Sequence, residues 1–411
     1  MKFFLVPKTS SATTPGEQHL NLRSDRRKEQ GMKITDIKTY YVEAVRRCWV
    51  FLEVETDEGV VGVGEASLEG FEKTIGTAVE DFKRLLIGEN PLEIERVWED
   101  MYRRKFWRQD LLITTVLSGI EIACWDIKGK VLGVPVYELF GGPCRDKVPC
   151  YGNYWFMKTK MGPTTVDDYA KSAANAVANG WKALKWSPFG YPAHTMTAEQ
   201  ENIAVECVRR VREAVGPDIR LMLDAHGRFN LPQAMRLARR FEEFDLFFFE
   251  EALPPENVDA FVELKRSTRT PLATGERLVA RYQFRDVLSK FAVNYIQPDT
   301  LHCGGIAETR KIAAMAEAYF TPVIPHNPNG PVATAAMVHV GASIPNFLML
   351  EYIPVPQRAD VLMEPFAPHD GYFDLPKKPG LGVELNHKNI NKYPYEPKDL
   401  DHYLPVREIL L

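Results

Sequence analysis

The sequence predicts an α/β protein with two parts: a closed barrel of alternating strands and helices, and a smaller α+β domain before it. The first observation is that polar side chains end short apolar runs at intervals of 23 to 27 residues. This interval is about the length of one strand, one helix and two loops. The side chains are, in chain order, Asp224, Glu250, Glu276, Asp299, His326 and Glu351. The second observation is that strict strand–helix alternation begins only near residue 148. Both predict a (β/α)8, TIM-like barrel with an α+β N-terminal capping domain.

Composition excludes several classes of protein. The chain has 411 residues, of which 45% are apolar, so it can bury a large core and form about two domains. A net charge of −4 favours neither nucleic acid nor an anionic membrane surface as a partner. No apolar run is long enough for a transmembrane helix. The six cysteines lack zinc-like pairs and are typical of free thiols in a reducing compartment, so we expect a cytoplasmic protein.

Residues 1–31 fit neither part of the predicted fold. The run FFLV is too short for the apolar segment of a signal peptide, and the sequence after it is polar. Met32 then begins an alternating strand. We interpret residues 1–31 as a flexible extension or an over-long gene model. The alternative is an ordered arm that packs on a neighbouring subunit.

The α+β part begins with three strand-like runs. ITDIKTYYV, WVFLEVET and VVGVGEA lie within residues 32–67, and a turn at 57–59 joins the last two. Helical patterns follow at roughly 71–88, after Pro91, and at roughly 111–132. This order predicts a small sheet covered by helices.

The barrel is predicted from eight apolar runs, the number of strands that a closed barrel needs. The runs end near Tyr154, Lys185, Asp224, Glu250, Thr274, Gln297, Ile324 and Leu350. A capping box at 197–200 predicts the start of one intervening helix. We therefore assign residues 32–147 to the capping domain and 148–351 to the barrel. Residues 352–411 lack the barrel periodicity, and we expect part of them to run back over the capping domain.

A metal site is predicted from Asp224, Glu250 and Glu276. The repeat places them at the carboxyl ends of consecutive strands, which lie about 4.8 Å apart, so the carboxylates should converge. Left unpaired, three like charges raise each other's pKa, and a hard divalent cation removes that repulsion. Oxygen ligands favour Mg²⁺, with Mn²⁺ as the alternative. The competing interpretation is three solvated loop acids. Glu251 would point the other way along the strand, which favours a supporting role.

An acid–base pair is predicted at the ends of strands six and seven, where Asp299 and His326 lie. An Asp that bonds one imidazole nitrogen fixes the tautomer and raises the basicity of the other nitrogen. Such a pair can take a proton from carbon. The alternative is a structural histidine bonded to a backbone carbonyl.

Two further side chains are candidates for proton transfer or substrate contact. His226 follows Asp224 by two residues, and the strand period of two places both on one face. An imidazole there can act as a general acid toward a leaving hydroxyl; the alternative is a histidine on the rim. Glu351 can bond a substrate carboxylate only if one partner carries a proton, and its alternative is a rim carboxylate.

Strand two supplies no second base. It ends in Lys185 and Ser187, and a serine without a partner base does not transfer protons, so the two histidines should carry that work. Loops of the capping domain near 46–49 and 65–71 can close over the barrel mouth, and Phe106, Trp107 and Arg108 are predicted on a nearby helix. Their aromatic and guanidinium groups suit a polyol, although packing between the domains is the alternative. The predicted substrate contacts are Lys185, Arg46, Trp49, His302 and Arg228.

Taken together, these motifs resemble the mandelate racemase branch of the enolase superfamily, from about residue 32 to the end. ACWDIKGKVLGVPVYELFGG at 123–142 is similar to the family's first signature. LDAHGR, FFEEA, TGER, IQPD and PHNPNGP then fall at the expected strand ends and in the expected order. Within the branch, RRCWVFLEVETDEGVVGVGEASLEG and LDAHGRFN most resemble the D-galactonate dehydratase type, as do Asp-x-His at strand three and the lack of Lys-x-Lys at strand two.

The resemblance implies the site's roles. Asp224, Glu250 and Glu276 would hold Mg²⁺. His326 with Asp299 would take the C2 proton of an acid sugar, His226 would protonate the departing C3 hydroxyl, and Glu351 would lie near the substrate carboxylate. The product would be a 2-keto-3-deoxy acid. The resemblance also implies a homo-oligomer, often an octamer.

Some positions depart from the family pattern. Ala252 stands where the family usually has proline, and strand two ends in the bulky sequence WSPFG. Asn327 and Asn329 alter the strand-seven loop. Because these positions line the rim, they bear on which aldonate is used.

Three functions remain after the sequence has been analysed. The first is an aldonate dehydratase acting on galactonate or a related acid. The second is another enolisation on the same scaffold, by an epimerase, racemase or cycloisomerase, which would need a different acid or base; Ser187 stands where a racemase keeps a lysine. The third is a non-catalytic carboxylate-binding protein, which the full set of proton-transfer groups disfavours.

Overall fold

The computed structural model describes residues 31–45, 47–104, 106–108, 110–156, 165–190 and 194–397. The segment 1–31, interpreted above as an extension, lies outside the described residues except for Gly31. Within these ranges the chain forms a three-stranded sheet and a larger, mainly parallel sheet. The two sheets correspond to the two predicted parts of the fold.

The amino-terminal part is an antiparallel sheet covered by helices. The strands are β1 (Ile34–Glu43), β2 (Cys48–Thr56) and β3 (Val61–Glu65), and β2 pairs with both others. The helices are α1 (Glu72–Leu86), α2 (Ile94–Arg103) and α3 (Leu111–Leu132). Apolar side chains from one face of the sheet and from the helices share one core. The α+β arrangement and the helix positions predicted from the sequence are confirmed.

Helix α3 lies between the sheet and the barrel. The carboxylate of Asp110 caps its first turn, accepting hydrogen bonds from Leu112 N–H at 2.9 Å and Ile113 N–H at 3.2 Å. The helix ends at Gly133, which has a φ of 71° that a side chain would strain. Strand β3 packs directly on it, since a Cβ added to Gly64 would meet the carbonyl oxygen of Gly119 at 2.0 Å. Helix α3 is therefore buried along most of its length and contacts both domains.

The barrel consists of parallel strands that close on themselves. The strands are β4 (Lys147–Asn153), β5 (Ala183–Trp186), β6 (Arg220–Asp224), β7 (Phe248–Glu250), β8 (Leu272–Thr274), β9 (Tyr295–Ile296) and β10 (Leu350–Tyr352). Each pairs with the next from β4 to β9, and β10 pairs with β4. The seventh position of the ring is a bridge at Val323, which joins Ile296 on one side and Phe347 on the other. The predicted barrel with its capping domain is confirmed.

Helices surround the barrel strands. They are α4 (Val166–Ala178), α5 (Ala198–Val215), α6 (Leu231–Phe241), α7 (Val258–Ser267), α8 (Ala280–Ser289), α9 (Thr300–Cys303), α10 (Gly305–Ala318) and α11 (Pro331–Ser343). The predicted capping box is present at the start of α5, where Thr197 and Gln200 bond each other's backbone N–H. In the part of the chain that the structure describes, no helix has the length and apolarity needed to cross a bilayer.

The carboxyl-terminal segment contacts both domains. It contains α12 (Gln357–Asp360), β11 (Tyr372–Asp374) and α13 (His387–Ile390), and β11 pairs antiparallel with β4. Farther along, Leu381 N–H donates to Asp126 of α3 at 2.7 Å, and Tyr393 O accepts from Glu43 N–H of β1 at 3.0 Å. These contacts tie the segment to the capping domain on one side and to the barrel on the other.

The period of two along each strand places a polar layer directly above an apolar plug. Apolar side chains inside the barrel form one cluster. The inward residue two positions later is polar on five strands. The pairs are Tyr151 and Asn153, Ala183 and Lys185, Met222 and Asp224, Phe248 and Glu250, and Met349 and Glu351. The plug closes the lower barrel, so polar groups gather at the carboxyl ends of the strands.

A buried histidine clamps the carboxyl-terminal segment to the barrel. His339 in α11 is fully buried; its Nδ1 accepts from Tyr137 N–H at 3.2 Å and its Nε2 lies 3.1 Å from Leu381 O. Burial lowers the pKa of His339 to about 4. The neutral imidazole fits both neighbours, whereas an imidazolium would present an N–H to the N–H of Tyr137.

We predict that this clamp weakens in acid. Because the pKa of His339 is lower in the folded chain, its contribution to stability is present above pH 6.5 and is lost as pH falls toward 4. The difference corresponds to about 3 kcal/mol. Urea unfolding of wild type and His339→Gln between pH 7.5 and 4 measures it, since glutamine can make both bonds without titrating. If the free energy of unfolding fell equally with pH in wild type and His339→Gln, the prediction would be contradicted.

Candidate metal and acid–base site

Three carboxylates from consecutive strands meet at the barrel mouth. One oxygen each of Asp224, Glu250 and Glu276 lies within 4.8 Å of the other two. Asp224 and Glu250 end β6 and β7, and Glu276 follows β8 after Gly275, whose φ is 146°. The backbone turn at this glycine brings Glu276 back toward the mouth. The arrangement is the one that the repeat predicts.

The donor set fits a hard divalent cation. Burial and the charge of Asp224 raise the pKa of Glu250 well above its usual range, which shows how unfavourable the bare cluster is. Burial also raises the pKa of Asp224, but His226 and Lys185 outweigh it and the net shift is downward. Although the Nε2 of His326 lies 3.3 Å away, Oε2 of Glu276 is buried and accepts no hydrogen bond from the described residues. Mg²⁺ or Mn²⁺ bound by these oxygens would remove the repulsion and satisfy that atom.

Lys185, expected from the sequence to contact substrate, borders the cavity and lies among carboxylates. Its Nζ is 2.9 Å from Glu250, 3.3 Å from Asp224 and 3.0 Å from Glu351, and the side chain is fully buried. Burial lowers the pKa of this ammonium, but the carboxylates outweigh it and the net shift is well upward. Lys185 therefore compensates one negative charge of the cluster.

Glu351 connects the cluster to the strand-seven loop. Its Oε1 accepts from Asn153 Nδ2 at 2.6 Å and its Oε2 from Asn327 N–H at 3.0 Å. Burial raises the pKa of Glu351, but Lys185, then His326 and the two donors, shift it below the usual value. The side chain is an ionised carboxylate with its own partners. It therefore lacks the proton that a direct bond to a substrate carboxylate would need.

His326 and Asp299 form a close pair. Nδ1 of His326 lies 2.8 Å from Oδ2 of Asp299, and its Nε2 lies 3.3 Å from Oε2 of Glu276. Asp299 also accepts from Leu301 N–H and from Asn329 Nδ2, both at 2.8 Å. Burial lowers the pKa of His326, but Glu276 and Asp299 raise it more, to about 10. The imidazole is thus oriented by one carboxylate and points its other nitrogen at the carboxylate cluster.

His226 reaches the cluster through a turn, because the strand has already ended. Strand β6 ends at Asp224, and His226 has a φ of 52°, so the strand period used to place it does not apply. Its N–H donates to Asp224 Oδ1 at 2.8 Å, and its Nε2 lies 3.4 Å from Asp224 Oδ2. Burial lowers the pKa of His226. The imidazole nevertheless lines the cavity, on the other side of the mouth from His326.

Two residues expected to contact substrate lie elsewhere, and one is not described. Arg228 is buried, and its guanidinium donates to the carbonyls of Ala225 and Gly190 and lies 3.3 Å from His226 Nδ1. Trp49 is buried in the core. Neither borders the cavity, and Arg228 reaches it only through its contact with His226. Arg46 lies outside the described residues.

The cavity itself holds about 240 Å³ between the two domains. From the barrel it is bordered by Asn153, Tyr154, Lys185, Asp224, His226, Glu276, Arg277, His302, His326, Pro328, Asn329 and Glu351. From the capping domain it is bordered by Arg47, Cys48, Ser67, Leu68, Glu69 and Leu111. The expected approach of the capping-domain loops to the barrel mouth is therefore present. Phe106 and Trp107 are 82% and 81% exposed and lie in a bend, so the expectation that they occupy a helix is wrong.

Sequence reasoning missed several polar residues that border the cavity. Arg47 lies 2.9 Å from Glu69, and it precedes β2, where alternation gives no direction. Arg277 donates to Glu251 at 3.0 Å, and Glu251 also accepts from Thr274, which agrees with the supporting role predicted for it. His302 was named correctly as a cavity residue, with its Nδ1 2.9 Å from Thr115 Oγ1.

Family comparisons agree over most of the chain. Residues 168–389 match the family described as enolase C-terminal domain-like. Residues 29–141 match the family described as the mandelate racemase / muconate lactonizing enzyme N-terminal domain. The two matches cover the α+β domain and the barrel from its first helix onward, including Asp224, Glu250, Glu276 and His326.

Individual relatives resemble the chain along nearly their whole length. A protein of Pectobacterium atrosepticum named D-galactonate dehydratase is 38% identical over 367 residues, which is 87% of this chain and 94% of that protein. One of the same name from Ralstonia pickettii is 38% identical over 363 residues, 86% of this chain and 92% of that protein.

Solved structures show the same architecture. A mandelate racemase/muconate lactonizing enzyme from Sulfitobacter sp. superposes with a TM-score of 0.87 at 33% identity, covering 91% of this chain and 98% of that one. A member of the enolase superfamily from Salmonella Typhimurium gives a TM-score of 0.84 at 31% identity, covering 88% and 98%.

We predict that Mg²⁺ stabilises the folded chain through the three carboxylates. A cation at 100 times its dissociation constant should add about 2.7 kcal/mol to the free energy of unfolding, because it binds only the folded site. Thermal unfolding with Mg²⁺ or with a chelator measures this increment. Asp224→Asn should remove it, whereas the matched change Glu251→Gln should keep it. An increment that survives in Asp224→Asn would place the cation elsewhere.

Proposed function

Because the chain belongs to the mandelate racemase / muconate lactonizing enzyme family of the enolase superfamily, we propose that it is a divalent-metal-dependent dehydratase of acid sugars, acting on galactonate or a related aldonate. One observation carries the proposal. Two imidazoles approach the carboxylate cluster from opposite sides of the barrel, His326 against Glu276 and His226 against Asp224. A substrate held at the cluster would lie between a base and an acid.

The metal ligands in this proposal are Asp224, Glu250 and Glu276. When bound, Mg²⁺ or Mn²⁺ would act as a Lewis acid toward the carboxylate of the substrate and so acidify the hydrogen at C2. Lys185 leaves the cluster negative, because one ammonium faces several carboxylates. Fixed charges of this kind in a water-excluded cavity contribute several kcal/mol to stabilising a transition state.

His326 is the proposed base at C2. Asp299 holds its Nδ1, which leaves Nε2 facing the cavity to accept the proton. The pKa of His326 is about 10 beside the bare carboxylate of Glu276. A cation sharing that negative charge would lower the pKa of His326 from this value and so ease release of the proton after it is taken up.

His226 is the proposed acid at C3. The C3–O bond breaks as electrons from the former C2–H bond form the C2–C3 double bond, and the hydroxyl leaves as water with the proton of His226. The resulting enol tautomerises to a 2-keto-3-deoxy acid. Arg228 and Asp224 hold this imidazole in place through 3.3 Å and 3.4 Å contacts, so Arg228 supports catalysis without touching the substrate.

The remaining cavity wall is polar and suits a chain of hydroxyls. Arg47, Asn153 and Asn329 offer donors near Glu351 and Asp299, while His302 and Arg277 border the same space. Burial lowers the pKa of Arg47, but Glu69 together with Tyr154, Glu351 and Asp299 raises it more, so the guanidinium is charged. A charged donor over the cavity favours an anionic, hydroxylated substrate.

The competing enolisations would need a different acid or base, and the end of strand two does not provide one. Lys185 is bonded to carboxylates, and Oγ of Ser187 has no partner among the described residues. No observation favours an epimerase, racemase or cycloisomerase over the dehydratase. We also propose a cytoplasmic location, supported by the free cysteines, and a homo-oligomer, for which an octamer is the family expectation.

We predict that His326→Ala loses both dehydration and exchange of the C2 hydrogen. A general acid or base usually contributes about 10²–10⁴-fold to the reaction rate, and His326 acts in the first step, removal of the C2 proton. Release of a 2-keto acid, trapped with semicarbazide across a panel of aldonates, identifies the substrate and measures turnover. Deuterium incorporation at C2 in ²H₂O measures exchange. Exchange at the wild-type rate in the variant would exclude His326 as the base.

We predict a different outcome for His226→Ala, which should retain exchange at C2 and lose dehydration by about 10²–10⁴-fold. The base is intact in this variant, but the hydroxyl lacks its proton. Release of a 2-keto acid and deuterium incorporation at C2 measure the two activities of this variant. Thr77→Ala, an exposed change on α1, serves as the control and should match wild type in both. Dehydration at the wild-type rate in His226→Ala would remove this residue from the acid role.

A further inference from the structure

The capping domain inserts two buried carboxylates beneath the acid–base half of the site. Glu65 ends β3 and Glu121 lies in the middle of α3, and both are fully buried. Neither borders the cavity described above. Burial raises the pKa of both, that of Glu121 to about 7. A neutral side chain would avoid this cost of burial, so the hydrogen bonds that the two carboxylates make have to compensate for it.

Glu65 caps the helix that follows strand seven. Its Oε1 accepts from Gly330 N–H at 2.6 Å and its Oε2 from Ala333 N–H at 2.9 Å, at the start of α11. Ser67 Oγ donates to the same carboxylate at 2.7 Å. A Cβ on Gly330 would lie only 2.7 Å from the carboxylate oxygens, so the loop and the carboxylate are in direct contact.

The loop anchored by Glu65 contains the proposed base. It runs from His326 to Gly330 without regular structure. Asn327 N–H bonds Glu351 at 3.0 Å, and Asn329 Nδ2 bonds the same Asp299 oxygen that holds His326. Glu65 holds the far end of this loop through its bonds to the N–H groups of Gly330 and Ala333, and Glu65 belongs to the capping domain.

Glu121 makes the equivalent contact for strand six. Its Oε2 accepts from Ile306 N–H at 2.8 Å and its Oε1 from Ala307 N–H at 2.9 Å, at the start of α10. On the same face of α3, one turn earlier, Ser118 Oγ accepts from Gly304 N–H at 3.1 Å. Asp299 begins this loop, as the cap of the short helix α9.

We propose that Glu65 and Glu121 are positioning residues for the His326–Asp299 pair, so that docking of the capping domain orders the acid–base half of the site. The proposal rests on the proposed function, since it concerns the pair assigned to proton transfer. A carboxylate at a helix start satisfies N–H groups that lack partners and interacts favourably with the helix dipole. Catalytic groups have to be held within about 0.5 Å, and irregular loops do not achieve this without such anchors.

The test uses Glu65→Gln and Glu121→Gln in the full-length enzyme. Glutamine keeps the shape, but both carboxylate oxygens accept from backbone N–H, so either orientation of the amide sets its NH₂ against a donor. Asp126→Asn is the matched control. Asp126 is also a buried carboxylate of α3 that accepts two backbone N–H bonds, from Val63 at 2.9 Å and Leu381 at 2.7 Å, remote from both loops.

Both glutamine variants should lose about 10–100-fold in kcat, as supporting groups of active sites typically do, with KM changed much less. Asp126→Asn should lose stability while keeping kcat. Combining Glu65→Gln with Asn329→Ala should cost less than the sum of the single changes, because both act through one loop. Wild-type kcat in the glutamine variants, or an equal loss in the control, would overturn the proposal.

Amide hydrogen exchange read by mass spectrometry, without substrate, separates this proposal from the proposed function. We expect faster exchange of residues 326–333 in Glu65→Gln and of residues 304–307 in Glu121→Gln. In each variant the other segment should exchange as in wild type. If wild type dehydrated no acid sugar, the proposed function would fail, and exchange alone would decide whether the anchors exist. Unchanged exchange in both variants would overturn the anchors even in an active enzyme.

Discussion

The structure depends on the crowding of buried negative charge at the barrel mouth. Asp224, Glu250 and Glu351 all contact the single ammonium of Lys185, and Glu276 completes the cluster. One positive charge cannot balance four buried carboxylates, so a divalent cation bound there would relieve their repulsion. The same excess of charge makes the neighbouring His326 strongly basic. Metal affinity and basicity therefore have a common physical origin.

The two halves of the mouth are supported differently. The proposed metal ligands sit on or directly after strands β6, β7 and β8, whose pairing fixes them. The proposed acid–base pair instead lies at the start of irregular loops after β9 and after the bridge at Val323, where regular pairing is sparse. The additional hydrogen bonds of Asn327, Asn329, Glu65 and Glu121 are concentrated on that side. Where the sheet supplies less rigidity, side chains from two domains supply more.

Features that repeat along the chain could be predicted from the sequence, and features that depend on the direction of a single long side chain could not. The interval between strand ends gave the barrel, the mouth and the carboxylate cluster. Lys185 was placed correctly on strand two, but its partners belong to strands that sequence spacing does not relate to it. Arg228 and Trp49 carry suitable groups but do not border the cavity, and His226 enters it only because its backbone adopts a left-handed turn.

We propose that Asp224, Glu250 and Glu276 together hold a divalent cation opposite His326. The most direct test is anomalous diffraction from crystals of the full-length protein grown with Mn²⁺. The account predicts one strong peak coordinated by an oxygen from each of the three carboxylates, within reach of a ligand that also meets His326. A peak at another position, or no peak at the cluster with Mn²⁺ in excess, would contradict it.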